Sequence, residues 1–147
     1  MKKTAPLVVV ALMFFSSIAA WAQGTGRVTG EQLMRQWIAA LRSEDINGYA
    51  SCYWPEATLL SYNTNGDSKL LEQVEAIRRN QKMLFDNFDF ASMNLTYANP
   101  RRIESGSGSR EIFVYDNREH NGYIEMFYLE KRSGEFRIVN QVLVMGL

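Results

Sequence analysis

The sequence predicts an α+β domain, with helices in its first half and an antiparallel sheet in its second. Two observations support this prediction. Apolar residues recur at helical spacing in several segments between residues 29 and 85. From residue 92 onward they alternate with polar residues, which is the period of a half-buried strand. Helices followed by a run of strands are typical of α+β domains.

The first 22 residues have the pattern of a secretory signal peptide. Lys2 and Lys3 precede an apolar run, and Ala20-Trp21-Ala22 fits a small-x-small cleavage site. The alternative, an uncleaved anchor, needs an apolar span of about 20 residues. We therefore expect cleavage after Ala22, a periplasmic or secreted protein without a membrane span, a flexible lead-in at residues 23–28, and one domain at residues 29–147.

Charge and composition exclude several classes of function. Removing Lys2 and Lys3 lowers the number of Lys and Arg from 16 to 14 against 16 acidic residues. The mature chain is then mildly acidic, which argues against nucleic acid as a partner. Cys52 and His120 are the only cysteine and histidine. An internal disulfide and a zinc site of thiols and imidazoles are therefore impossible, and we expect neither a metal nor a cofactor.

The helical half divides into three predicted helices. Thr29 and Gln32 form a capping-box pattern that begins the first helix. The second extends to Tyr53 and is stopped by Pro55, which lacks a backbone donor. The third takes its apolar face from residues 70–85.

The strands are predicted from alternation and from turn residues. Asn121-Gly122 favours a hairpin turn, because these residues adopt positive φ at low cost. We interpret the neighbouring His120 as an exposed turn residue rather than a catalytic one. We expect strands at residues 58–62, 93–97, 112–116, 123–131 and 135–145.

Four short segments resemble a known family. They are WIAAL at residues 37–41, DINGY at 45–49, PEATL at 55–59 and GEFRIV at 134–139. The chain resembles nuclear transport factor 2-like domains, which are also called SnoaL-like or cystatin-like α+β cones. The resemblance implies a curved antiparallel sheet wrapped around N-terminal helices, as a cone-shaped barrel with a pocket at its one open end. It also implies a homodimer.

The best-understood chemistry of that family is ketosteroid isomerisation, and the matched positions argue against it here. The family's tyrosine falls on Trp37, and its aspartate base falls on Ser61, whose hydroxyl is no base near neutral pH without an activating partner. Glu125 is then the one weak catalytic candidate. We favour an outward Glu125 paired with Arg137 across the hairpin, and the alternative is a pocket acid with a raised pKa.

The period of two also predicts what lines the cone. If Phe136 and Ile138 point inward, Asn140 shares their face. A polar group among apolar walls is typical of a small-molecule site. The alternative is that aromatic side chains fill the cone and Asn140 satisfies a backbone group. The predicted lining is Trp37, Tyr53, Ser61, Tyr97, Tyr115 and Asn140.

The strand at residues 123–131 is apolar on both faces. We assign Ile124, Met126 and Tyr128 to the core. A sheet with two apolar faces needs a cover on each, and a second copy of the chain would supply one. The predicted dimer face is Tyr123, Phe127 and Leu129.

Two hypotheses about function follow. The first is a periplasmic or secreted, non-enzymatic homodimer that holds a small apolar ligand or serves an envelope protein as an accessory module. The second is a cofactor-free isomerase, dehydratase or cyclase that uses Glu125 in the cone. The orientation of Glu125 separates them, because an enzyme of this kind needs an ionisable group in the cavity.

Overall fold

A computed structural model describes residues 28–147, so the predicted signal peptide lies outside the described residues. Among residues 28–147, no helix is long and apolar enough to cross a membrane. The elements in chain order are α1 (Gly30–Arg42), α2 (Ile46–Ser51), β1 (Tyr53–Asn63), β2 (Ser68–Glu72), α3 (Val74–Asn87), β3 (Arg101–Glu104), β4 (Arg110–Asn117), α4 (Arg118–Asn121), β5 (Tyr123–Arg132) and β6 (Glu135–Met145).

The six strands form one curved sheet in the order β2-β1-β6-β5-β4-β3. Neighbouring strands are antiparallel, except that β1 and β6 run parallel. The outermost strands, β2 and β3, do not pair with each other, so the sheet is curved but unclosed. The predicted α+β class is confirmed, with one parallel pair added to the expected antiparallel sheet.

Helix α1 begins where the capping box predicts. The Thr29 hydroxyl accepts a hydrogen bond from the Gln32 amide at 3.2 Å, and the Gln32 side chain accepts one from the Thr29 amide at 2.9 Å. Both bonds satisfy donors that the first helical turn leaves unpaired. The helix buries one face in the core, formed by Leu33, Met34, Trp37, Ala40 and Leu41.

The chain turns into the sheet earlier than predicted. Helix α2 ends at Ser51, and Tyr53 is the first residue of β1 rather than the last turn of a helix. Pro55 lies inside β1, where the pairing with β6 is interrupted between Tyr53 and Thr58. A strand tolerates proline at such an interruption, because no ladder hydrogen bond is lost there.

Two other segments differ from the prediction. Residues 68–72 form strand β2 rather than the start of the third helix, which begins only at Val74. Residues 93–97 form no regular element, and the edge strand β3 follows them instead. Short apolar runs fit both helical and strand periods, so spacing alone does not separate these cases.

The predicted hairpin joins β4 to β5, but its connection is longer than a two-residue turn. A single helical turn, α4, is followed by Gly122 at φ 69°. Glycine adopts this left-handed conformation without steric cost. His120 lies exposed on α4, as the sequence predicts.

Strand β5 alternates as predicted, but the face that was predicted to point outward is the one that points into the core. Phe127 and Leu129 are 0% and 1% exposed and belong to the core, and Tyr123 is also buried. The Trp37 ring packs against Phe127, with ring centroids 4.7 Å apart. The prediction of a dimer face at Tyr123, Phe127 and Leu129 is therefore wrong. A strand that is apolar on both faces shows its period without showing which face is inside.

Strand β6 contains a β-bulge that reverses its alternation. Leu129 pairs with Ile138 and Tyr128 pairs with Asn140, which leaves Val139 without a partner. An extra residue of this kind moves every later side chain to the opposite face. Asn140 is consequently exposed, where its Oδ1 accepts a hydrogen bond from the Thr58 hydroxyl at 2.6 Å. The predicted inward orientation of Asn140 is wrong.

Candidate ligand-binding cavity

The concave side of the sheet and helices α1 and α3 enclose a cavity of about 450 Å³. Its volume falls within the range of small-molecule sites, roughly 300–1,000 Å³. The walls are mostly apolar, with a few polar groups among them. The apolar side chains include Leu41, Leu59, Leu71, Leu84, Phe90, Leu95, Leu143 and Met145.

The structure brings only some of the predicted lining residues to this cavity. Trp37, Ser61 and Tyr97 are in its wall. Tyr53 is fully buried behind the wall and contacts the lining through hydrogen bonds. Tyr115 lines a separate pocket beside Arg102 and Phe113, and Asn140 lies outside on the opposite face of the sheet.

Glu125 points into the cavity and is only 3% exposed. The Tyr97 hydroxyl donates a hydrogen bond to its Oε2 at 3.0 Å, and the Gln141 amide donates one to its Oε1. The favoured prediction of an ion pair with Arg137 is wrong, because Arg137 contacts Glu135 instead. The alternative prediction, a pocket acid with a raised pKa, agrees with the structure.

Burial controls the protonation of this carboxyl group. It raises the pKa of Glu125 from 4.5 to about 7, while the hydrogen bonds from Gln141 and Tyr97 oppose the increase. Removing a carboxylate from water disfavours its charged form, and no Lys, Arg or His within residues 28–147 forms an ion pair with it. Glu125 can therefore exchange a proton near neutral pH.

A chain of buried hydrogen bonds orients Gln141. The Trp37 indole donates to the Tyr53 hydroxyl at 2.8 Å, and the Tyr53 hydroxyl donates to the Gln141 carbonyl oxygen. With its oxygen held in this way, the Gln141 amide presents its NH₂ group to Glu125. Tyr53 thus positions the group that contacts Glu125, and the Trp37 N–H is already used within the protein.

The tyrosines around the acid remain donors. Burial raises the pKa of Tyr53 and of Tyr97 well above the ordinary value of a phenol. Both hydroxyls therefore keep their protons near neutral pH. Glu125 is the group in this cluster whose charge changes near neutral pH.

Sequence reasoning missed several lining residues. Gln141 was missed because the bulge at Val139 is not visible in an alternating pattern. Gln81 is buried on α3 and also lines the cavity. It interrupts the apolar face of that helix, and a polar residue at such a position is a signal that could have identified it.

Known structures resemble this chain in fold, although known sequences do not. No protein-family model and no curated protein sequence matches the chain. A structure from Shewanella baltica, described as an NTF2-like protein of unknown function, has 13% identity and a TM-score of 0.59, covering 77% of this chain and 87% of that chain. The chain has the nuclear transport factor 2-like fold.

Other structures agree with this assignment. An uncharacterised Caulobacter vibrioides protein with a cystatin-like fold has 11% identity and a TM-score of 0.62, covering 78% of this chain and 85% of that chain. A ketosteroid isomerase-like protein from Erwinia carotovora has 12% identity and a TM-score of 0.57, covering 78% and 92%. At these identities the likeness is one of fold, so the chemistry of this chain must be argued from its own residues.

Proposed function

We propose that this nuclear transport factor 2-like domain binds a small, largely apolar molecule in its cavity. The supporting observation is a space of about 450 Å³ with apolar walls and a few buried polar groups. Apolar walls favour a ligand by removing its surface from water, and the polar groups fix its orientation. The side chains of Glu125, Gln141 and Tyr97 are held by mutual hydrogen bonds, so little ordering is needed on binding.

The location and assembly are part of this proposal. The signal-peptide pattern of residues 1–22 supports a periplasmic or secreted domain. The outer sheet face supports a homodimer, because one apolar row crosses five paired strands there. The row consists of Val114, Met126, Val142, Leu60 and Leu70. Leu60 and Leu70 are 38% and 58% exposed, and a second copy would cover them.

Native mass spectrometry tests the binding function. We expect the gently purified protein, exported to the periplasm, to have a reproducible extra mass. Leu143→Trp should reduce or remove that mass, since Leu143 lines the cavity and the larger ring would take up part of the space for a ligand. Asn140→Ala is the matched control on the same strand, and it should keep the mass because Asn140 lies outside the cavity. An unliganded wild-type protein that also binds no apolar extract components would contradict the proposal and favour an envelope protein as the partner.

A second function is favoured by Glu125 itself. An acid with a pKa near 7 in an apolar cavity can act as a general base or a general acid, so a cofactor-free proton-transfer enzyme also fits. Incubation of the copurified molecule with the protein in D₂O separates the two functions. An enzyme would introduce deuterium at carbon in the wild type but not in Glu125→Gln. Negligible deuterium incorporation with both proteins would contradict the enzyme and favour a binding protein.

A further inference from the structure

Lys69 and Asn80 lie where the cavity opens to solvent. Both residues line the cavity, and Lys69 is exposed while Asn80 is half-buried. Met83 also lines the cavity and is 50% exposed, one helical turn after Asn80 on α3. Residues that contact both the cavity and bulk water form its mouth. The mouth is therefore bounded by β2 on one side and by α3 on the other.

The ammonium group of Lys69 joins the two sides of this mouth. Its Nζ donates a hydrogen bond to Oδ1 of Asn80, which leaves two N–H groups on Lys69 and the NH₂ group on Asn80 as donors. Within residues 28–147, Lys69 forms no ion pair, whereas Lys82 on α3 pairs with Asp86 at 2.9 Å. The mouth thus presents a positive charge that no carboxylate of the described chain neutralises.

Strand pairing places Lys69 and Glu125 at opposite ends of one row of side chains. The row crosses β2, β1, β6 and β5 and consists of Lys69, Ser61, Leu143 and Glu125. All four residues line the cavity. Neighbouring strands are about 4.8 Å apart, so the row measures roughly 14 Å along the sheet. A ligand that follows this row would extend from the positive mouth toward the buried acid.

The two ends of the row differ in the charge that they can accept from a ligand. Lys69 and Glu125 are the charged side chains of the cavity lining within residues 28–147. Glu125 is 3% exposed and already accepts hydrogen bonds from Tyr97 and Gln141. A cationic head at Glu125 would lose nearly all of its hydration, and that loss can exceed the gain from a buried ion pair. An anionic head at Lys69 would keep its contact with water.

We infer that the ligand is an amphiphile with one anionic head, a carboxylate, which Lys69 and Asn80 hold at the mouth while its apolar body enters the cavity toward Glu125. A single ammonium charge matches a singly charged head, and a space of about 450 Å³ suits a drug-sized apolar body. This inference rests on the proposed binding function and names the class of ligand.

Three probes with the same alkyl chain and different heads test the inference. They are decanoate, decanol and decylammonium, titrated into the protein by calorimetry at about pH 8, where Glu125 is charged and can compete for the cation. We expect decanoate to bind at least about threefold more tightly than decanol, the value of a partly exposed ion pair, and more tightly than decylammonium. The preference for decanoate over decanol should shrink as the ionic strength rises from about 0.01 M to about 1 M.

Variants at the mouth identify the groups responsible. Lys69→Gln removes the charge, so it should abolish the preference for decanoate while leaving the affinity for decanol unchanged. Asn80→Asp places a carboxylate against the Lys69 ammonium and should have the same effect. Lys82→Gln is the matched control, because it removes a positive charge from α3 that pairs with Asp86 outside the cavity lining. It should keep the preference.

The outcomes separate this inference from the function on which it rests. Equal affinity for decanoate and decanol, or tightest binding of decylammonium, would overturn the inference while leaving a binding cavity in place. A preference that survives in Lys69→Gln would also overturn it, as would an equal loss of preference in Lys82→Gln. Failure of the wild type to bind any of the three probes would contradict the binding function itself.

Discussion

Gln141 donates a hydrogen bond to Oε1 of Glu125, and this contact depends on the single extra residue at Val139 in strand β6. In a regular strand the inward position would belong to Asn140, and Gln141 would face outward. The bulge moves the longer amide into the cavity, where it reaches both Glu125 and the Tyr53 hydroxyl. One local irregularity thus determines which polar groups a ligand meets.

The stability of the protein should depend on the protonation of Glu125. Because the folded-state pKa of this acid is raised, the native state keeps a proton that the unfolded state has released between about pH 4.5 and pH 7. The contribution of Glu125 to stability is therefore fully present below this window and is lost as the pH rises through it. The shift corresponds to a loss of about 3 kcal/mol.

Urea denaturation of the wild type and of Glu125→Gln, from pH 4 to about pH 8, measures this effect. The variant cannot ionise at this position, so the difference in unfolding free energy between the two proteins should change across the window. Other titrating groups cancel in that difference. A difference that stays constant with pH would show that Glu125 is not buried in the folded state.

A side chain at Gly30 should destabilise the protein. A Cβ atom there would lie 2.0 Å from Oε2 of Glu111 and 3.1 Å from the Phe113 ring. Glu111 is buried and held by two hydrogen bonds from Arg102, so it moves only by breaking them. We expect Gly30→Ala to lower the unfolding free energy by about 1–3 kcal/mol in urea.

Gly106 supplies the control for this substitution. A Cβ atom at Gly106 has nothing within 4 Å, so Gly106→Ala should leave the urea midpoint almost unchanged. Equal midpoints for the two alanine variants would mean that the close packing of α1 on β4 is not maintained in solution.

The class of fold could be predicted from the sequence because it depends on long patterns. The helical spacing of the α1 segment and its Thr29–Gln32 capping box, together with the alternation in β4, β5 and β6, repeat over many residues. Such patterns remain recognisable when one or two residues depart from them. The existence and order of these elements were therefore predictable, although β2 and β3 were not.

The site depends on features that a single sequence does not show. Phe127 and Met126 are both apolar, so alternation does not indicate which one faces the core. The bulge at Val139 changes the face of every residue after it, including Asn140 and Gln141. Glu125 lies on the same face of β5 as Phe127. It therefore faces the inside of the fold, and alternation alone does not show that this face is the inner one.

The outer sheet face should control self-association. Arginine at Leu60 places a charge within the apolar row without entering the core, because Leu60 is already 38% exposed. We expect Leu60→Arg to convert a wild-type dimer into a soluble monomer, as measured by sedimentation equilibrium. Ser107→Arg, in the exposed β3–β4 turn, is the control and should remain dimeric. A wild-type mass of one chain at high concentration would contradict the dimer.

Phe127→Arg should behave differently from Leu60→Arg. Phe127 is fully buried against Trp37, so the variant would place an unpaired charge in the core. We expect loss of the cooperative unfolding transition rather than a folded monomer, as followed by circular dichroism. A stable, folded Phe127→Arg variant would mean that β5 presents the opposite face to the core.

The most direct test of the account is a carbon-detected NMR titration of the Glu125 side-chain carboxyl, assigned by comparison with Glu125→Gln. Burial in the cavity predicts a midpoint of about pH 7 in the wild type. In Tyr97→Phe the midpoint should be higher still, because the Tyr97 hydrogen bond lowers the pKa of Glu125. A wild-type midpoint near 4.5, the ordinary value for this group, would place the carboxyl in water and contradict a buried acid facing an apolar cavity.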